Sequence, residues 1–293
     1  MSDLTRDRLE EGIRRERAGL HELALRLFQE AEGLAGDAAE RAEALWRQSY
    51  ALRATCRWDD AIDAARRGAA VAEAAHDRRQ LAEALNAEAL VYLSRGVFEQ
   101  AEPLLRRMLE FADDRRLRGI ALQNLGSIAA QTGRLAEAER HFAESYGCFN
   151  SVGYQRGEVT ALNNQARAAL DRGDAARARE ILPRAIALAA DLQERDLEAL
   201  AMLNYGEALL AQAEYEQAEL MASTALGFYT SAGDAWRRIE SLQLLGDINA
   251  RQGDVEPARA CYAQGLSIAL DLGARVEIAS LQRRIRALPA SRP

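Results

Sequence analysis

The chain has 293 residues, 48% of them hydrophobic and 6% aromatic, with a formal charge of −7. That is enough apolar material for a large folded body, and the interspersed Arg and acidic residues form no basic stripe of the kind nucleic-acid binders carry. All 38 basic residues are Arg; without Lys there is no P-loop, no kinase strand lysine and no Schiff-base amine.

From its start, "MSDLTRDRLEEGIRRERAGL" lacks the apolar core of a signal peptide. No later stretch approaches the roughly 18 uncharged apolar residues of a membrane span. Abundant Ala, only 5 Pro and few Val, Ile or Thr runs favour packed helices. The three Cys, at 56, 148 and 261, form no CxxC pair. Their scatter fits reduced thiols and a cytoplasmic location.

A repeat organises everything that follows. Gly12, Ser49, Ala89, Gly126, Ala166, Gly206 and Gly246 are all small, at steps of 37 or 40. Twelve residues after each stands Ala24, Ala61, Ala101, Ala138, Ala178, Ala218 or Ala258. Two antiparallel helices that cross closely need small side chains where their axes approach. Four residues before the small site come Leu45, Leu85, Leu122, Leu162, Met202 and Leu242, one turn away on the same face. The first repeat has Arg8 there, as expected of a terminal cap.

The resulting map, in chain order, is seven helix hairpins at about 5–36, 38–76, 78–113, 115–153, 155–193, 195–233 and 235–272. A closing helix follows at 274–288, carried by the stripe Ile278, Leu281, Ile285 and Leu288, with a frayed tail at 289–293. The whole of 1–288 is expected to be a single repeat domain. Gly19, Gly96, Gly133, Gly173 and Gly253 sit at one phase between paired helices, as left-handed C-caps. Cys56 and Ala213 replace glycine in two turns. Acidic residues such as Asp174 and Asp254 are expected to cap the second helices, as is the pair Asp59–Asp60. Pro183 should kink its helix, while Pro103 and Pro257 lie nearer helix starts.

This pattern resembles the tetratricopeptide repeat. The resemblance rests on Leu125–Gly126 with Ala138 and Phe142, Leu245–Gly246 with Ala258 and Tyr262, Tyr205–Gly206 with Ala218, and Ala24 with Phe28. The period of 40 and the missing late Pro depart from the usual 34-residue form. They look like the arrays of kinesin light chains, Rap-type peptide receptors and bacterial regulator sensors. The resemblance implies an all-α, right-handed superhelical solenoid whose first helices line a concave face.

No enzyme is read from the residues. "HELAL" at His21 lacks the second His of a zinc motif, and the pair His141 and Glu144 reads as packing or surface. No metal and no cofactor are expected. One constellation stands out instead. Asn124, Asn164 and Asn204 lie 40 apart, each two residues before its small site, with Asn163 adjoining and Asn86 off by one. Asn is a poor helix-interior residue, and its amide both donates and accepts. Two readings stay open: the amides hold the backbone of an extended peptide, or they form a ladder between repeats. On the same face are expected Gln123, Ser127, Arg167, Glu207, Gln243, Asp247, Arg47 and Tyr50, with Trp46 beside them.

The expected function is a non-catalytic scaffold that binds a peptide or protein segment in the concave groove. Alternatives are a regulatory sensor module of a bacterial signalling or transcription system, and a structural subunit without a groove ligand. The expected partner is a protein or peptide, with no nucleic acid and no membrane insertion; homo-oligomerisation is left open.

Overall fold

The computed structural model describes residues 3–289, which contain fifteen helices and no strand. The expected frayed tail therefore lies outside the described residues, apart from Pro289. The chain divides into two compact units, 1–154 and 155–293.

Unit 1 holds four hairpins: α1 (Asp3–Arg17) with α2 (His21–Leu34), α3 (Ala38–Ala54) with α4 (Trp58–Ala74), α5 (Arg78–Ser94) with α6 (Phe98–Phe111), and α7 (Arg115–Gln131) with α8 (Leu135–Ser151). Unit 2 holds α9 (Gln155–Asp171) with α10 (Ala175–Asp191), α11 (Arg195–Ala211) with α12 (Tyr215–Ala232), and α13 (Ala235–Gln252) with α14 (Val255–Asp271); α15 (Arg275–Ala287) closes it. Within each unit the two helices of a hairpin pack on each other, and each second helix packs on the element that follows it in that unit, where one follows.

The small-site register explains the packing. All seven repeat alanines are fully buried. The residue four further on decides how small its partner must be. Where it is aromatic the partner is Gly: Phe28 lies over Gly12, Phe142 over Gly126 and Tyr262 over Gly246. A Cβ on Gly126 would stand 2.6 Å from the Phe142 ring, and one on Gly12 or Gly246 would clash still harder. Where it is Leu105 or Leu182 the partner is Ala89 or Ala166, and beside Ala65 it is Ser49, all buried. Gly206 differs: a Cβ there would press on Leu244 at 3.1 Å and on the Ala218 carbonyl at 3.2 Å.

The turns follow the glycine phase, including the two that lack glycine. Cys56 (φ 59°) and Ala213 (φ 60°) adopt the left-handed conformation of Gly133 and Gly173 (φ 78° and 81°). The tertiary register therefore imposes that conformation even where a Cβ opposes it.

Capping departs from expectation. Asp174 does cap α10, accepting from the Arg177 N–H at 3.0 Å, but the Asp254 side chain makes no cap bond. The acid caps fall mainly on first helices, at Asp37, Asp77, Asp114 and Asp234. Each of these four has the extended backbone that aims its carboxylate at the first-turn N–H groups. Helix α10 runs unbroken through Pro183. In α15 Leu281 is fully buried against a cluster that includes Ile239 and Tyr262, with Ile278 and Ile285 beside it.

Candidate functional site

The first helices of unit 1 enclose a recess of about 380 Å³. Four consecutive hairpins contribute to its wall: Ile13 and Arg17 from α1, Trp46, Arg47 and Tyr50 with Glu43 from α3, Asn86, Glu83, Gln80 and Arg79 from α5, and Arg116 and Ile120 from α7. The repeat puts them there, because side chains one turn apart on each first helix share a face.

Its polar groups are partly committed to one another. The Asn86 Nδ2 donates to Tyr50 Oη at 3.0 Å, and the Trp46 Nε1 donates to Gln80 Oε1 at 2.7 Å. Trp46 and Tyr50 meet edge to face with ring centres 5.4 Å apart. Arg47 stacks over Trp46, 4.3 Å from its centroid, and pairs with Glu43 at 2.7 Å. Burial pushes the Tyr50 hydroxyl well above its ordinary range, with the Glu83 charge adding to the effect. Burial likewise raises Glu83, against the pull of Arg116, Arg47 and Arg79.

In unit 2 a recess of about 330 Å³ lies between α11, α13 and α15, with Glu207, Glu240, Gln243, Asp247, Arg251 and Arg284 among its walls. Its carboxylates are neutralised from within. Asp247 accepts from Tyr262 Oη at 2.6 Å and from Arg284 Nε at 2.9 Å. Glu240 pairs with Arg237 at 2.7 Å. Glu207 and Asp171 both grip Arg167, at 2.5 and 2.6 Å. Burial lowers the Arg167 pKa, but the bonds to Glu207 and Asp171 outweigh it and raise it overall. With its amide oxygen turned toward them, Gln243 accepts from Ser280 Oγ at 3.3 Å and from Arg284 at 2.8 and 2.9 Å. A smaller crevice of about 250 Å³ separates α11 from α12, with Met202 and Phe228 lining it.

The asparagines do not form the open row that their register implies. Asn124 Nδ2 donates to Asn86 Oδ1 at 3.0 Å, and Asn204 Nδ2 donates to Asn163 Oδ1 at 2.7 Å. Each bond runs from one first helix to the preceding one, and the acceptor is the Asn that stood off by one. Asn163 and Asn204 are only 2% and 6% exposed, so neither presents a free amide. This corrects the expectation that they hold a ligand: the neighbouring hairpin covers them. Asn164 is half-buried. Gln123 is half-buried beside Asn124, and the Ser127 hydroxyl donates back to the Gln123 carbonyl at 3.1 Å. Of the expected residues, Arg47 and Tyr50 line the unit 1 recess, and Glu207, Gln243 and Asp247 the unit 2 recess.

Sequence reasoning missed Arg79, Arg116 and Glu83. A signal was available: Arg79 and Arg116 each stand ten residues before a small site, and Glu43 and Glu83 each stand six before one. Among the described residues no cluster of three His, Cys, Asp or Glu could hold a metal. No described helix is long and apolar enough to cross a membrane.

Two family models of the tetratricopeptide repeat match, at residues 80–151 and 239–272. A curated relative, the regulatory protein AfsR of Streptomyces griseus, is 25% identical over 210 residues, which is 61% of this chain and 22% of AfsR. The chain thus spans about a fifth of that relative's length. Among solved structures, a STAND signal-transduction ATPase with a tetratricopeptide repeat sensor, from Pyrococcus horikoshii, aligns with a TM-score of 0.79 at 16% identity, over 95% of this chain and 44% of that one. The quorum sensor NprR of B. thuringiensis aligns at 0.70 and 17% identity, over 89% and 75% of the two chains. A Rap protein complexed with Competence and Sporulation Factor aligns at 0.68 and 15% identity, over 96% and 80%. These likenesses establish the all-α repeat fold.

Proposed function

We propose that the chain, which two tetratricopeptide-repeat family models match in part, is a non-catalytic scaffold that binds a peptide or protein segment against its first helices. One observation carries the reading: first helices of four successive hairpins wall a single recess that mixes apolar surface with arginines and amides. Such a recess offers side-chain pockets for an extended segment while each hairpin holds its wall rigid. Arg47, Tyr50, Gln123 and Asn124 would meet the segment in unit 1, and Asn164, Arg167, Glu207, Gln243 and Asp247 in unit 2. The Rap protein complexed with its factor and the quorum sensor NprR support the reading by analogy of fold.

A second reading is a sensor module that acts on an effector. It is favoured by the small share of AfsR and of the STAND protein that this chain spans. Both readings place the partner on the first-helix face; a purely structural subunit would use the second helices.

Partners captured from a lysate by the intact chain should be lost with Tyr50→Ala and retained with Arg26→Glu on α2. Loss with Arg26→Glu and retention with Tyr50→Ala would move the interface to the second helices and end the groove reading.

A further inference from the structure

In unit 1 most arginines of the second helices have acidic partners. Arg66, Arg67, Arg106 and Arg107 all sit in ion pairs. The recess breaks this habit. Arg17, Arg79 and Arg116 line it from three different first helices, and among the described residues none of the three is in an ion pair. Arg116 instead stands 5.0 Å over the Tyr154 ring. The two acids on the wall do not compensate. Glu43 is taken by Arg47 at 2.7 Å. Glu83 stands near Arg116 and Arg79 without pairing with either, one carboxylate against three guanidinium groups.

Three guanidinium groups facing one partly enclosed space repel one another, and an anion placed among them relieves that repulsion. Guanidinium forks match a carboxylate in geometry as well as charge. The rest of the wall is apolar at Ile13, Trp46 and Ile120, so the groups flanking that carboxylate should be apolar. We propose that the unit 1 recess receives an acidic side chain of an extended peptide segment, an Asp or Glu set between apolar residues. This rests on the groove reading above and names the ligand class.

The test passes two pools of random octapeptides over the immobilised full-length chain, one pool with amidated and one with free C-termini, and sequences what is retained. Peptides kept from the amidated pool should be enriched severalfold in Asp and Glu beside apolar residues. The double variant Arg79→Gln/Arg116→Gln should retain them at least tenfold less, with an unchanged melting curve because both side chains are exposed. If that variant melts early, Arg17→Gln on α1 replaces it and should give a severalfold loss. Retained peptides without acidic enrichment would overturn the inference and leave the groove reading standing. Retention from the free-ended pool alone would assign the anion to a chain end and overturn it too. Undiminished retention by a folded variant would place acid binding elsewhere, and no retention from either pool would overturn both readings.

Discussion

In unit 1 the second helices are tied to the hairpins beside them by ion pairs: Arg107 to Glu73 at 2.7 Å, Arg134 at the start of α8 to Glu102 at 2.9 Å, and Arg66 to Glu88 at 2.8 Å. In unit 2 the run of α12 and its turn from Leu220 to Gly233 has no charged residue at all. The recesses differ the other way round. Unit 1 brings three unpaired arginines to its recess, whereas unit 2 brings one, Arg251, and pairs its acids Glu207, Glu240 and Asp247. The interiors, by contrast, follow one register of small site, repeat alanine and the residue four beyond it. The repeat specifies how hairpins stack, and the charges laid over it are free to differ. Recognition should therefore be sought in the decoration.

The largest effect should come from the shared interior. Leu105 and Leu182 occupy the same register position in the two units, and both are fully buried. Leu105→Ala and Leu182→Ala should each cost about 2–5 kcal/mol in chemical denaturation. Similar costs are expected; a nearly silent substitution in one unit would break the claim of a common interior.

Close behind comes the Gly–aromatic contact. Gly126→Ala and Gly246→Ala drive a methyl into Phe142 and Tyr262 and should each cost about 1–3 kcal/mol. Phe142→Leu should recover part of the loss in the first case, as Ala89 beside Leu105 already illustrates. Failure of that rescue would show that some other contact sets the size limit.

The amide pairs sharpen the difference between units. Asn204→Ala strands the buried Asn163 acceptor and should cost about 1–3 kcal/mol. The double change Asn163→Ala/Asn204→Ala should cost less, since no orphan remains. Asn124→Ala in unit 1 should cost less than Asn204→Ala, because Asn124 is only half-buried. Thermal melts of the three variants settle the order, and equal losses from Asn124→Ala and Asn204→Ala would contradict it.

The smallest effect lies in the turns. Cys56 and Ala213 hold φ near +60° with a Cβ attached. Changing either to Gly should stabilise by about 0.5–1 kcal/mol. A loss of stability would mean that the side chain contributes more than its backbone strain costs.

These contrasts mark what was readable. Positions along one helix follow from its 3.6-residue period, so the repeat alanines, the core leucines, most turns and the closing helix could all be placed. Contacts between hairpins could not. Which way Asn204 reaches depends on the azimuth of the helix before it, and Asn163, one residue off phase, proved to be the partner. The arginines of the recess were hidden for another reason. A lone Arg on a helix reads as solvated surface, and only the stacking of hairpins brings Arg17, Arg79 and Arg116 around one space. The expected first-helix residues Arg47 and Tyr50 reached the recess because they share a face with the small-site register.

Unpaired arginines in unit 1 are proposed to do the recognising. Calorimetric titration of an acidic, amidated octapeptide from the retained pool tests this most directly, with wild type, Arg79→Gln/Arg116→Gln in unit 1 and Arg251→Gln in unit 2. Charged hydrogen bonds are worth about 1.5–3 kcal/mol each, so the unit 1 variant should lose more than about tenfold in affinity while Arg251→Gln stays within about twofold. Equal losses from both variants, or none from the first, would contradict it.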